Sequence, residues 1–151
     1  MQYLPGMRYT LLALLLAVVT GCASSPGRPA SVTAPEIAVQ QTGSIFFGSS
    51  QTAPVSIDVA VRNTSNVPLR LRTVRLDAAG MSQYSIYPAE RTMNELLPPG
   101  ETRVVSLFAT AYTNRSRLSV TEPLSVRAVV DLEHEGKRFR EVALRPMISQ
   151  P

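Results

Sequence analysis

Residues 54–63 read PVSIDVAVRN. Val55, Ile57, Val59 and Val61 alternate with Ser56, Asp58, Ala60 and Arg62. Strict alternation of this kind belongs to a strand with one face in a core and the other in water, because successive side chains leave a strand on opposite sides. A turn cluster, TSNVP (64–68), follows, and then LRLRTVRLD (69–77). There Leu69 and Leu71 share one parity while Val74 and Leu76 share the other. A single bulge near Arg72 and Thr73 predicts all four on the core face.

The same reading extends outward in both directions. SQYSIYP (82–88) predicts a short strand with Tyr84 and Ile86 on one side. In LLPPGETRVVSLFATAY (96–112), Pro99-Gly100 predicts a type II turn: proline presets the first central φ and glycine accepts the positive second one. The strand after it has Val105, Leu107, Ala109 and Ala111 in phase, with Phe108 and Tyr112 opposite, an arrangement expected to be covered on both sides. PLSVRAVVDLEHEGKRFREVALRP (123–146) predicts a closing hairpin turning at Glu135-Gly136, with Leu124, Val126, Ala128, Val130 and Leu132 inward. SIFF (44–47) is expected to be the first strand, and ERTMNELL (90–97) a short helical turn.

About seven short strands separated by turns, with no long amphipathic helical stretch, predict an all-β chain folded as a single antiparallel β-sandwich. VAVRNTSNVPLRLRTVRL (59–76) is similar to the strand, Asn-x-Ser, x-Pro-Leu, strand pattern of type-2 late-embryogenesis-abundant domains and related immunoglobulin-like envelope domains. LPPGETRVVSLFA (97–109) resembles the Pro-Gly turn and following strand of immunoglobulin-like and fibronectin type III modules. The resemblance implies an immunoglobulin-like sandwich. It does not extend to the Cys and Trp core hallmarks of antibody-type domains, which the chain lacks.

Ahead of this domain lies the single cysteine, Cys22. Arg8 supplies a positive segment, Leu11 to Val19 an unbroken apolar run, and Thr20 and Gly21 small residues before the thiol. That is the layout of a secretory signal, and the run is well short of the roughly 20 residues of a spanning helix. Met7-Arg8 makes a more ordinary start than MQYLPG, so translation is expected to begin at Met7. Val19-Thr20-Gly21-Cys22 resembles the lipobox of bacterial lipoproteins. The resemblance implies cleavage before Cys22, a thioether to diacylglycerol and an acylated new amino terminus, hence attachment to membrane through acyl chains. Each buried methylene of such chains contributes about 0.8 kcal/mol. Ala23, where an aspartate favours inner-membrane retention in that family, implies an outer-membrane lipoprotein facing the periplasm. The organisation expected is therefore a signal peptide over 1–21, a lipidated terminus and flexible linker over 22–35, and the sandwich over 36–148.

Arg8 leaves with the signal, so the formal net charge falls from +4 to +3. The basic residues are arginines apart from Lys137. An envelope location points away from nucleic acid and towards anionic lipid head groups or an envelope protein as partner. No disulfide is available within the mature chain, no phosphate-cradling glycine loop, no CxxC and no metal-ligand spacing occur, and no cofactor is expected. The one histidine, His134, lies between Glu133 and Glu135 beside the hairpin tip. Consecutive strand residues leave opposite faces, so the three do not converge on a metal. Glu133 and Glu135 share a face, which leaves a cell-wall hydrolase open as a minor alternative, although a solvated hairpin end explains them equally. Glu133 opposite Arg138 and Asp131 opposite Arg140 predict cross-strand ion pairs. Two Asn-x-Ser triplets, at Asn63 and Asn114, read as turns.

One row remains: Arg70, Arg72 and Arg75 on the outward side of one strand. Guanidinium groups match carboxylates and phosphates as planar forks, so the row is a candidate docking patch; the plainer alternative is a solvated sheet face. The function expected is a lipid-anchored, non-catalytic binding or assembly-support module, with a carrier of an apolar or lipid ligand as the alternative.

Overall fold

The computed structural model describes residues 27–113, other than 44, 48, 81 and 83, together with residues 123–147. The signal segment, Cys22 and the Asn114 triplet lie outside the described residues. The strands are β1 (Glu36–Gln41), β2 (Thr52–Arg62), β3 (Leu69–Ala78), β4 (Tyr84–Ile86), β5 (Ala89–Leu97), β6 (Thr102–Thr113), β7 (Leu124–His134) and β8 (Lys137–Met147). They form two four-stranded antiparallel sheets, ordered β1-β2-β6-β4 and β5-β3-β7-β8. The two sheets pack face to face as a β-sandwich around one buried cluster.

Alternation dictates the packing. Val55, Ile57, Val59 and Val61 of β2 and Val105, Leu107, Ala109 and Ala111 of β6 face Leu69, Leu71, Val74 and Leu76 of β3 and the inward row of β7 in one buried cluster. The bulge lies where the parity changes. Leu71 pairs with Leu132 and Thr73 with Asp131, so Arg72 is the extra residue of β3 against β7. The inserted residue turns Val74 and Leu76 back to the core; without it they would face water.

Three expectations need correction. Of SIFF, residues 45–47 form no strand: Ile45 plugs the core from a loop, Phe47 meets Tyr84 edge-on at 5.9 Å, and Phe46 is exposed. The first strand is EIAVQQ instead, paired along β2 from Glu36↔Arg62 to Gln41↔Ile57. Residues 90–97 are not helical but belong to β5, where Ala89, Met93 and Leu97, every fourth residue and all of one parity, pack on the core. Pairing with β3 decides this, since Thr92 and Asn94 give a helix little support. Finally, β6 is covered on one face only: Phe108 is 81% exposed, while Tyr112 stacks on Tyr87 at 4.4 Å.

The packed part of the chain begins before β1. Val32 is only 4% exposed and belongs to the core, its N–H donating to the Pro29 carbonyl at 3.0 Å. The Thr64 hydroxyl donates to the Ala34 carbonyl at 2.6 Å, and Arg28 meets Glu141 of β8 at 2.7 Å.

Turn chemistry completes the frame. Gly100 has φ of +78° after Pro99, as a type II turn requires. Glu135 and Gly136 have φ of 49° and 77°, the paired positive values of a type I′ hairpin turn. At the same end of the sandwich as this hairpin, Asn63 is wholly buried. Its Nδ2 donates to the carbonyls of Val67 at 2.8 Å and Leu97 at 2.9 Å. Its Oδ1 accepts from the Ser65 N–H at 3.0 Å and hydroxyl at 2.6 Å. Its backbone N–H donates to the Glu101 carbonyl, and its own carbonyl accepts from the Gly100 N–H.

Asn63→Ala takes the side-chain partner from the Leu97 carbonyl and the Ser65 N–H, while the Ser65 hydroxyl still reaches the Val67 carbonyl at 2.9 Å, and should lower unfolding stability by about 2–4 kcal/mol. Asn63→Asp, similar in shape but without donors, should be no better. Urea midpoints test this, and a shift no larger than that of an ordinary surface substitution would exclude the role. At the hairpin, Glu135→Asn should raise stability by up to about 1 kcal/mol, since asparagine tolerates the left-handed region. Gly136→Ala should lower it by about 1 kcal/mol or more through backbone strain alone, as a Cβ there meets nothing within 4 Å. Equal midpoints for the two variants would contradict the turn assignment.

Candidate functional site

The arginine row lies on β3, the second strand of its sheet, so its outward side chains meet those of β5 and β7. The bulge keeps all three guanidinium groups on that face although their spacing is uneven. Arg70 pairs across to Glu133 of β7 and Arg75 to Val129, and Arg70 faces Leu96 of β5.

None of the three is left without a polar neighbour. Arg70 donates to Asn94 Oδ1 at 3.2 Å, and Arg72 donates to the same oxygen. The Arg72 Nε lies 3.6 Å from Glu133 Oε2, which Arg138 also approaches at 3.6 Å. The Arg75 Nε lies 3.7 Å from Asp77 Oδ2. Asp77 is itself gripped by Arg127, with Nε to Oδ1 at 2.7 Å and Nη2 to Oδ2 at 3.1 Å. Asp131 and Arg140 repeat that fork at 2.7 and 3.1 Å across the hairpin. The hydrogen bonds that each guanidinium donates to its carboxylate, and then the carboxylate's charge, raise the Arg127 and Arg140 pKa values above the ordinary guanidinium value. The face is thus a lattice of alternating charge, and the row is one line within it.

Spacing placed the hairpin pairs correctly: the register sets Glu133 against Arg138 and Asp131 against Arg140. The partners of the row came from further away. Asn94 and Arg127 reach it from β5 and β7, which no local pattern links to the row, while Asp77 is local, two residues from Arg75 on β3. The one available signal was the outward parity of Asp77 and Arg127 on strands whose pairing is non-local.

The hairpin trio separates as the strand geometry requires. His134 turns inward, its Nδ1 at 3.0 Å from the Pro68 carbonyl, which ties the hairpin to the loop between β2 and β3. Glu133 points outward between its two arginines. Glu135 occupies the exposed tip, 4.0 Å from His134 Nε2. Among the described residues, no three His, Cys, Asp or Glu side chains are grouped to hold a metal ion.

The opposite sheet presents a different surface. From β2 and β6 it offers Pro54, Ser56, Ala60, Ser106 and Thr110 around the exposed Val104 and Phe108, with Asp58 as the charge among them.

No family model matches the chain, and no curated protein sequence does. Similarity lies in the fold. The crystal structure of a protein assigned as ApaA from Bordetella pertussis superposes with a TM-score of 0.54 at 17% identity, over 80% of this chain and 98% of that one. A FixG-related protein of Vibrio parahaemolyticus gives 0.42 at 16% identity, over 80% of this chain and all of that one. A β-glucuronidase of glycoside hydrolase family 2 gives 0.44 at 15% identity, over 75% of this chain and 11% of that one. The ApaA likeness supports a β-sandwich; at these identities nothing about activity follows.

Replacing Arg70, Arg72 and Arg75 by Gln removes exposed pairs and should change stability by no more than about 1 kcal/mol. Replacing them by Glu sets carboxylates against Glu133 and Asp77, and should cost about 1–2 kcal/mol more than the Gln set. Thermal melts of the two variants at low and high salt measure the difference, which salt should shrink. Identical melts would mean that the row is not coupled to its acidic neighbours.

Proposed function

We propose that this chain is a lipid-anchored cell-envelope protein whose single sandwich binds or supports another envelope component without catalysing a reaction. The observation that carries the reading is the apolar run ending in Val19-Thr20-Gly21-Cys22, placed directly ahead of a β domain. A thiol is the side chain suited to form the thioether, since its thiolate is a strong nucleophile near neutral pH. Several acyl chains hold far more firmly than one. Ala23 favours the outer membrane, with the domain in the periplasm.

The non-catalytic part is supported by how the titratable residues are occupied. Glu133 already serves two arginines, and His134 spends one ring nitrogen on a backbone carbonyl. For the domain itself, the Asn63-Thr64-Ser65 turn followed by Val67-Pro68-Leu69 supports kinship with type-2 late-embryogenesis-abundant and immunoglobulin-like envelope domains. A docking role suits the Arg70, Arg72 and Arg75 face, whose guanidinium groups can exchange intramolecular acids for those of a partner.

Cys22→Ser tests the anchor. In cells fed an alkyne-bearing fatty acid, the native chain should take up the label and lose residues 1–21, as read by intact mass. The serine variant should remain unlabelled and uncleaved; normal cleavage of that variant would overturn the reading.

A further inference from the structure

Strand β4 has three residues and covers one end of β6, Tyr84 to Ile86 pairing with Thr113 to Ala111. The Tyr87 N–H then donates to the Thr110 carbonyl at 2.9 Å, and the chain crosses to the other sheet as β5. It returns to β6 through Glu95, whose carboxylate lies 2.8 Å from Arg103 Nε. Between Arg103 and Thr110 no strand of the described residues lies beside this edge of β6. Met93, a core-facing residue of β5 in that interval, is only partly buried.

Strand geometry decides which groups the gap leaves open. The N–H and C=O of one residue leave an antiparallel strand on the same side, and successive residues alternate. The Thr110 carbonyl faces β4, whereas the Thr113 N–H faces the other way, to Gln51 ahead of β2. Val104, Ser106 and Phe108 share the parity of Thr110, so their backbone groups point out of the open edge, with no backbone partner among the described residues. Their side chains lie on the outer face, where Val104 and Phe108 are exposed. Charge or proline blunts the edge strands of the other sheet: β5 carries Glu90 and Arg91, and β8 carries Arg138, Arg140 and Pro146. The open stretch of β6, VSLFA (104 to 109 with Val105), has neither.

We propose that this stretch is the seam of a two-fold dimer, in which β6 of one copy pairs antiparallel with β6 of a second copy. The exposed apolar residues select the register. Val104 and Phe108 stand two positions either side of Ser106. With the axis at Ser106, that serine faces its own counterpart, and Val104 faces Phe108 of the second copy, twice over by symmetry. Each of these pairs exchanges two N–H···O=C bonds, and an aromatic opposite a β-branched residue is a favoured cross-strand pair. The pairing spans residues 103 to 109, ending where Tyr87 takes the Thr110 carbonyl. Such a run of strand is roughly 24 Å long. An edge-on contact of that length is at the small end of specific interfaces, so association is expected in the micromolar range. Neither the lipid anchor nor the arginine face enters this pairing.

Sedimentation equilibrium of the full chain in density-matched detergent, across the micromolar range, should show a monomer–dimer equilibrium. Val104→Lys with Phe108→Lys sets lysine against lysine at both positions and should weaken the dimer about tenfold or more. Val104→Glu with Phe108→Glu should do the same. Val104→Lys with Phe108→Glu sets lysine against glutamate at both positions and should keep the dimer. Mixing the double-lysine and double-glutamate chains should restore it as a heterodimer, which also shows that both variants fold. A native chain that stays monomeric throughout overturns the proposal, as does a dimer that the double-lysine variant leaves intact. Equal weakening by the double-lysine and the lysine–glutamate variants overturns it too, because the proposed register sets position 104 against position 108.

Discussion

A buried amide holds the two sheets in one frame. Asn63 ends β2 in one sheet, yet its Nδ2 donates to Leu97, the last residue of β5 in the other, and to Val67 just before β3. Its backbone groups close on Gly100 and Glu101, which lead into β6. Every chain segment that changes sheets at this end is therefore pinned to one residue. Buried polar groups are costly unless satisfied, and here each side-chain atom has its partners. An apolar residue would fill the space but could not name the register. The core supplies most of the stability; the amide decides which of several similar packings the valines and leucines adopt.

Much of the frame is local and was therefore legible. Parity alone identifies the inward faces of β2, β6 and β7, the neighbourhood of Arg72 and Thr73 as the place where β3 bulges, and the hairpin register around Glu135-Gly136. What parity could not supply is pairing at a distance. Residues 90–97 carry Met93, Leu96 and Leu97 at a spacing that also suits a helical turn, and only β3 alongside makes them a strand. SIFF has the composition of a strand, yet its residues 45–47 lie in none, whereas EIAVQQ, more polar, lies along β2. The site divides in the same way. The outward placement of Arg70, Arg72 and Arg75 follows from alternation, and the acceptors of Arg70 and Arg72 do not, because β5 and β7 arrive from elsewhere in the chain.

The two outer faces answer different demands. Exposed ion pairs such as Arg140 with Asp131 contribute little individually, yet a wrong register would place like charges together, so the lattice penalises slippage more than it stabilises the correct pairing. The same charges, with Pro146 on the outermost strand, make β8 a poor template for another chain's strand. The β1-β2-β6-β4 sheet lacks such a lattice and leaves Phe108 in water.

The burial of Asn63 has a practical consequence for anyone making this protein. Asn63-Thr64-Ser65 is also an acceptor triplet for N-linked glycosylation. In a eukaryotic secretory pathway, oligosaccharide is transferred to the amide nitrogen before the domain closes. That nitrogen is the one directed at Val67 and Leu97, inside the fold. A glycan there has no route to solvent, so glycosylated chains would be barred from the native state. Yeast or mammalian secretion would then sort this protein by how fast it folds relative to the transferase, and a bacterial host removes the contest.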